Sequence, residues 1–180
     1  MLNTPALADA ITNAARNAVA ELFRERPNDT FYYISLITTG EGHSPCLTAW
    51  SWEKLAETVQ AEGGNDQLTA DLKWSYADSP FYCFGESYFN VVKQLFNSRS
   101  TFGDRDSTSD GCELDLRLKG MEAAMATLDA EGLFGIGTKR FGIVINAEVM
   151  PPDHSNVERA KRLNPPEALG DWLREAAEPV

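Results

Sequence analysis

Hydrophobic positions recur along the chain with two different periods, and segments of the two kinds alternate. From Leu7 to Leu22 apolar residues fall every three or four positions, which predicts an amphipathic helix that ends before Pro27. The run from Thr30 to Thr39 is rich in aromatic and β-branched residues with little polar alternation. Such a run is typical of a strand that is covered on both faces. The segment from Cys46 to Trp50 then predicts the returning strand of a hairpin.

In the middle of the chain the hydrophobic patterns are shorter and predict shorter elements. Ser51 is placed to cap a second helix, which Gly63 and the glycine after it bring to an end. Apolar and polar residues then alternate from Leu72 to Tyr76, which predicts a short half-buried strand or extended segment. Apolar residues at helical spacing from Tyr88 to Phe96 predict a third helix.

The C-terminal half carries the clearest periodicity in the sequence. Apolar residues from Leu114 to Leu128 are spaced as on one helix face, and Gly132 is expected to close this helix. The segment from Arg140 to Met150 predicts another strand, and a short helix is expected from Ser155. Asn164, with two prolines behind it, predicts the cap of a last helix.

The order of these elements mixes hairpin-linked strands with helices, which favours the α+β class. We expect one domain over residues 1–180, with a mostly antiparallel sheet of three to five strands packed by several helices. The apolar runs 31–38 and 141–145 are expected at the centre of that sheet, with the helices over 7–22 and 114–128 packed on it. Residues 97–111 are mostly polar and predict a mobile acidic surface loop.

The charge of the chain narrows the kind of partner it can have. Sixteen Lys and Arg residues against 27 Asp and Glu residues give a net charge of −11. An acidic surface repels nucleic-acid phosphates and anionic lipid, and it attracts cationic proteins. We therefore expect a basic protein partner, no nucleic acid and no membrane. Three widely spaced cysteines and the absence of a signal-like N-terminus favour a cytoplasmic protein.

The candidate catalytic patterns are weak. His43 and His154 both lie in predicted loops, and neither has a nucleophilic serine motif to serve. Cys46 is three residues from His43 along an extended chain, which is beyond hydrogen-bond reach. We therefore expect no enzymatic activity, no metal and no cofactor. The enzymatic alternative is catalysis by carboxylates alone, for which Glu86 and Asp78 are the candidates.

Two groups of residues are candidates for binding a protein partner. The first is a run of five acids between positions 104 and 115, opposed only by one arginine. The second is a set of tryptophans in the aromatic-rich half of the chain, suited to act as buried anchors in an interface. A solvated acidic loop and core aromatic residues would give the same two patterns. The candidate partner-binding residues are Asp104, Asp106, Asp110, Glu113 and Asp115, together with Trp50, Trp52 and Trp74.

Several segments resemble a bacterial family of small acidic single-domain proteins known only as a domain of unknown function. They are FYYISLITTG, LTAWSWEKL, LKWSYADSPFYCFGESYFNVV and RFGIVINAEVMPPDHSNVERAKRLNPPEAL, and the resemblance covers about Ala6 to Trp172. It implies no catalytic residues. Families of this kind often stand beside secreted antibacterial toxins as cognate immunity proteins, so the resemblance implies a cytoplasmic inhibitor of a basic toxin. The alternatives are an adaptor or regulator of a housekeeping partner and the carboxylate-based enzyme.

Overall fold

The structure, a computed structural model, describes residues 4–99 and 107–178, and side chains over 6–99 and 113–178. Short 3-10 helices precede the fourth α-helix (Glu86–Phe89) and the third strand (Gly137–Gly142). The other elements, in chain order, are α1 (Thr4–Glu25), β1 (Phe31–Thr39), β2 (Cys46–Ser51), α2 (Trp52–Ala61), α3 (Asp66–Leu72), α4 (Asn90–Asn97), α5 (Ser107–Ala130), β3 (Val144–Met150), α6 (His154–Leu163) and α7 (Pro166–Glu175).

The described strands form one mixed sheet in the order β2-β1-β3. β1 is antiparallel to β2, with Ile34 opposite Ala49, and parallel to β3, with Ile34 opposite Ile145. The α+β class and the hairpin between the first two strands are therefore confirmed. β1 lies at the centre of the sheet, as its apolar sequence predicts, whereas β3 lies at one edge.

Both faces of the sheet are covered, because successive residues of a strand point to opposite faces. Ile34 and Leu36 point to one side, where they pack with α1 and α5 in the larger hydrophobic cluster. Tyr33 points to the other side, into a second cluster with residues of α2, α3, α6 and α7. An irregularity in the pairing of β1 with β2, between Phe31 and Tyr33, places Tyr32 in the second cluster as well.

The outer edge of β3 is covered by polar side chains instead of another strand. The Val149 N–H donates to Asn156 Oδ1 over 2.9 Å, and Asn156 Nδ2 donates to the Val149 carbonyl over 3.1 Å. Asn164 pairs in the same way with the N–H of Ile145 (2.9 Å) and its carbonyl (2.7 Å). Arg159 donates to a backbone carbonyl between these two positions. This polar row explains how β3 is buried although it is an edge strand.

One predicted element is wrong, and a second begins later than predicted. The residues before Leu72 form the helix α3, whose first turn is capped by Asn65 accepting from the Leu68 N–H over 2.7 Å. The residues after Leu72 form turns, so the predicted strand over Leu72–Tyr76 does not exist. The strand predicted from Arg140 begins only at Val144, because the preceding residues form a 3-10 helix.

Two local expectations also differ from the structure. Asn164 does not cap α7, because Pro165 occupies the cap position and the Asn164 amide reaches β3 instead. α5 begins at Ser107, so Asp110 lies inside this helix and the predicted loop over 97–111 is helical at its C-terminal end. Residues 100–106 of that loop lie outside the described residues.

One glycine allows the loop before α4 to lie directly against α1. Gly85 has a φ of +65°, and a Cβ atom placed on it would lie 2.9 Å from the Cβ of Ala18. Only glycine adopts this conformation at no steric cost and leaves room for the neighbouring methyl group. The contact fixes the position of the segment that lies beside the strand ends.

Candidate functional site: an acidic cleft at the strand ends

A cavity of about 680 Å³ opens where β1 and β3 end, and we call it the acidic cleft. Thr39 and Met150, the paired last residues of the two parallel strands, form part of its wall. Glu148 lies two residues earlier on β3 and also lines it. The carboxyl ends of parallel strands are where α/β sheets usually bind ligands, because loops and helix starts meet there.

Aromatic side chains form the sides of the acidic cleft. Trp74 follows α3 and Trp172 lies on α7, and both line the cavity. The Trp74 ring is held by edge contacts to Tyr32 and Tyr33, with ring centroids 5.3 Å and 6.0 Å away. Its indole Nε1 donates to Glu175 Oε2 over 2.9 Å. The ring is therefore fixed on several sides before any ligand binds.

The charge of the acidic cleft has one sign. Its described lining residues include four carboxylates and neither lysine nor arginine. Lys73 lies beside the cleft, where its Nζ donates to Glu175 Oε2 over 2.8 Å. Hydrogen bonds from Lys73 and from Trp74 hold the pKa of Glu175 below its usual value. The four lining carboxylates are those of Asp71, Glu148, Glu175 and Glu178.

Glu148 is the least solvated of these carboxylates. Its side chain lies on a strand that is covered on both faces, and the residue is 6% exposed. The Tyr33 hydroxyl donates to Glu148 Oε1 over 2.6 Å. Burial raises the pKa of Glu148, and the Tyr33 hydrogen bond and the charge of Arg159 oppose only part of this increase. Burial and the adjacent carboxylate also raise the pKa of Tyr33 well above its usual value.

A second, smaller cavity of about 370 Å³ shares Thr39, Tyr76 and Met150 with the acidic cleft. Cys46 and Cys83 both line it, and we call it the thiol cavity. Burial, followed by the neighbouring Cys83, raises the pKa of Cys46. A thiol that stays protonated at neutral pH is a poor nucleophile. The geometry thus makes Cys46 a packing residue of the cavity wall.

The polar groups beside the thiol cavity form a local network. His43 Nδ1 lies 2.7 Å from Thr39 Oγ1 and 3.4 Å from Glu41 Oε2. Glu86 lines this cavity, whereas Asp78 does not and instead accepts from Ser75 Oγ over 2.5 Å. The two carboxylates proposed for an enzymatic reaction therefore do not both line the thiol cavity. Among the described residues no group of three or more His, Cys, Asp and Glu side chains is arranged to hold a metal ion.

The three candidate tryptophans have different environments in the structure. Trp50 is 0% exposed, and its Nε1 donates to the Ser75 carbonyl over 2.6 Å, so it is a core residue that presents no surface to a partner. Trp52 is 43% exposed and stacks on Tyr32 with ring centroids 4.0 Å apart. Trp74 lines the acidic cleft.

The acidic candidate residues also differ from one another in where the structure places them. Asp104 and Asp106 lie outside the described residues, and so does the side chain of Asp110. Asp115 is exposed on α5. Glu113 is half-buried on the same helix.

Glu113 accepts hydrogen bonds from two arginines. Arg99 Nε donates to Glu113 Oε1 over 2.6 Å and Arg99 Nη2 to Oε2 over 3.1 Å, and Arg117 Nε donates to Oε1 over 2.9 Å. Burial alone would raise the pKa of Glu113, but these two arginines lower it. The carboxylate joins α5 to the end of α4, which is a structural role.

The residues of the acidic cleft were not among the sequence candidates, apart from Trp74. The one signal for Glu148 is a carboxylate in an otherwise apolar strand segment, because buried acids in such strands are rare without a partner. Glu175 gives no comparable signal, since it lies among other acids near the end of a surface helix. Its proximity to Trp74 depends on the packing of α7 against the segment after α3.

The fold and the cleft together define a class: an α+β domain with an acidic, aromatic-walled cavity at the carboxyl ends of its parallel strands. The chain belongs to the family described as Domain of unknown function (DUF4303), whose model matches residues 11–165. Comparisons with curated proteins and with solved structures gave no match. None of the described helices combines the length and the apolar character that a membrane crossing requires.

Proposed function

We propose that this chain is a non-enzymatic protein-binding domain that neutralises a basic toxin as its cognate immunity protein. The observation that supports this proposal most directly is the acidic cleft, in which four carboxylates meet aromatic walls and no described lining residue is cationic. A cavity of this composition favours positively charged groups and disfavours phosphate and carboxylate ligands.

The charge of the whole chain acts in the same direction. With a net charge of −11, long-range attraction speeds the encounter with a basic protein and makes the association rate fall with added salt. Exposed ion pairs contribute only about 0–1 kcal/mol each, so surface charge alone does not give tight binding. Among the carboxylates of the acidic cleft Glu148 is buried, and pairing with a cation is worth more there than at the exposed Asp71 and Glu175.

The proposed inhibition is competitive. Toxins that act on nucleic acids or nucleotides carry lysines and arginines that bind anionic substrates, and carboxylates of this chain would occupy those side chains. In this proposal the acidic cleft contacts the partner directly. The exposed Asp115 and the acids at 104, 106 and 110 remain candidates for a second contact.

The test begins with the partner itself. Crosslinking in a low-salt lysate of the source organism, followed by mass spectrometry, identifies the protein that contacts the acidic cleft. That protein is then expressed in bacteria alone, with this chain, and with the charge-reversal variant Asp71→Lys/Glu178→Lys. The matched control, Asp66→Lys/Glu167→Lys, reverses two exposed acids of α3 and α7 that do not line the cleft.

We expect the partner alone to stop growth, and the wild-type chain and the control to restore it. The cleft variant should restore it at least tenfold less well in colony counts. A partner that leaves growth unaffected, although it binds the chain, would favour the adaptor alternative over the immunity protein.

The acidic segment has a separate test. Asp104, Asp106 and Asp110 are replaced together by Asn, and the association rate with the identified partner is measured at low salt. A slower, less salt-dependent association supports a contact by this segment. Unchanged kinetics would exclude it.

A further inference from the structure

We propose that the acidic cleft takes a single arginine side chain of the partner, with its guanidinium group between the aromatic walls and the carboxylates. This inference rests on the proposed function, since it names the chemical group that the cleft recognises. Its starting point is size: about 680 Å³ lies within the range of pockets that enclose a ligand, and it exceeds what a bare metal ion needs.

The walls favour a flat cation. Trp74 and Trp172 both line the cavity, and Trp172 is 4% exposed, so Trp74 offers the more accessible ring. A guanidinium stacks on aromatic faces because it is planar and weakly hydrated. A lysine ammonium is a compact, strongly hydrated charge that loses more when it leaves water. The carboxylates add acceptors for the fork of N–H groups that arginine carries.

The protein already places one of its own cations at this wall. Lys73 Nζ lies 5.1 Å from the centroid of the Trp74 ring and 5.4 Å from that of Trp52. The same atom donates to Glu175 Oε2 over 2.8 Å. This internal contact shows that a ring face and a carboxylate of the cleft together hold a cation. It also means that Lys73 competes with an incoming cation for Glu175.

Glu148 supplies the innermost negative charge of the cleft. Its Oε1 accepts from the hydroxyl of Tyr33, a neutral donor, and the charge of Arg159 offsets only part of the effect of burial on its pKa. A partner guanidinium in the cleft would add a second positive charge near this carboxylate. Buried charges are stabilised by paired opposite charges, so an incompletely compensated carboxylate beside a cavity favours a cationic ligand.

The experiment uses three small peptides that differ in one side chain. They are acetyl-Gly-Arg-Gly-amide, its lysine counterpart, and its citrulline counterpart, which has nearly the shape of arginine but no charge. Each is titrated into the full chain and followed by NMR through the indole N–H signals of Trp74 and Trp50. We expect the arginine peptide to move the Trp74 signal saturably, with citrulline at least tenfold weaker and lysine at least threefold weaker.

The variants Glu148→Gln and Asp71→Asn should each weaken binding of the arginine peptide at least fivefold. Their matched controls, Glu167→Gln and Asp66→Asn, remove one acid from the surface of α7 and of α3 and should stay within twofold of the wild type. Equal affinity for arginine and citrulline, or equal losses in the cleft and control variants, would overturn the proposal.

Lys73→Met gives a test in the opposite direction. It removes the competing internal cation and keeps an apolar side chain of similar length, so it should strengthen binding of the arginine peptide at least twofold. Unchanged or weaker binding would contradict the competition between Lys73 and the ligand. Circular dichroism confirms that each variant is folded.

The outcomes for the two proposals are distinguishable. If the identified partner binds the wild-type chain but the arginine peptide does not reach the cleft, the arginine site is wrong and the protein-binding function stands. If the peptide binds as described but no basic partner protein is bound, the proposed function is wrong.

Discussion

Glu148 is a buried carboxylate whose charge the fold does not fully compensate. Because its pKa is raised in the folded protein, the folded state holds the proton more tightly than the unfolded chain. Stability is therefore lost as the pH rises from the usual carboxyl pKa through the raised one. Tyr33 faces Glu148 from β1 and stays protonated over this range, and Arg159 faces it from α6 and stays cationic.

Replacing Glu148 by Gln should therefore stabilise the protein at neutral pH. The amide keeps an acceptor for Tyr33 and removes the desolvated charge, so we expect the free energy of unfolding to rise by about 1 kcal/mol at pH 7.5. The gain should shrink as the pH falls towards 4, where the wild-type carboxyl is protonated. Urea unfolding at several pH values measures both effects. A variant that is less stable at pH 7.5 would show that the charge of Glu148 supports the fold.

Arg140 is a buried cation whose donors all have partners. Its guanidinium binds Asp129, the carbonyls of Ile143 (2.6 Å) and Leu163 (3.0 Å), and Asn164 Oδ1 (3.0 Å). Arg140→Met removes the donor to Asp129 and to the carbonyls of Ile143 and Leu163, so it should lower the free energy of unfolding by about 3–5 kcal/mol.

The control for Arg140 is Arg24→Met, which removes an exposed arginine paired with Glu21 on α1. An exposed pair contributes about 0–1 kcal/mol, so this variant should unfold close to the wild type in urea. Equal losses in the two variants would mean that the contacts of Arg140 add little.

The role of a single residue was predictable only where it depends on neighbours along the chain. Ser51 caps α2 as expected, because a cap depends on neighbours along the chain. Asn164 has an equally good cap signal, yet it binds Ile145 on a strand 19 residues away. Trp50 and Trp74 look alike in sequence, and only the packing of the sheet decides that the first is core and the second lines a cavity.

At the scale of elements, α1 and α5 pack against each other over one face of the sheet. Leu118 lies on α5, belongs to the hydrophobic cluster that these two helices share, and is almost fully buried. Leu118→Ala should lower the free energy of unfolding by about 2–5 kcal/mol, as truncations of core leucines do. Leu173→Ala, at an exposed position on α7, should cost much less in the same urea experiment. Similar losses would contradict the role of the α1–α5 contact.

Long periodic helices and apolar strands were predictable, whereas α3 and the 3-10 helix before β3 were not. α1, α5 and β1 follow from patterns that extend over two or more turns or a whole strand. α3 is only seven residues long, and the alternation from Leu72 to Tyr76 belongs to the turns after it. The 3-10 helix over Gly137–Gly142 contains Arg140, whose buried contacts come from distant parts of the chain.

At the scale of the whole molecule, the negative charge follows from composition, but the acidic cleft does not. Asp71, Glu148 and Glu175 come from three different elements and meet only because α3 and α7 pack beside the end of β3. The α+β class was predictable from the order of elements. The hairpin pairing of β1 with β2 was predictable too, but the parallel pairing of β1 with β3 was not, because α2 to α5 separate β3 from the hairpin along the chain.

The polar row along β3 has a consequence for how fast individual amides exchange with deuterium. The N–H groups of Ile145 and Val149 are held by the side chains of Asn164 and Asn156, so their exchange requires only that α6 and the residue after it move away. The intervening amides of Asn146 and Glu148 face β1 and exchange only when the sheet separates. We expect a two-residue alternation in protection along one strand, measured by NMR-detected exchange. Uniform protection along β3 would mean that α6 and the sheet open as one cooperative unit.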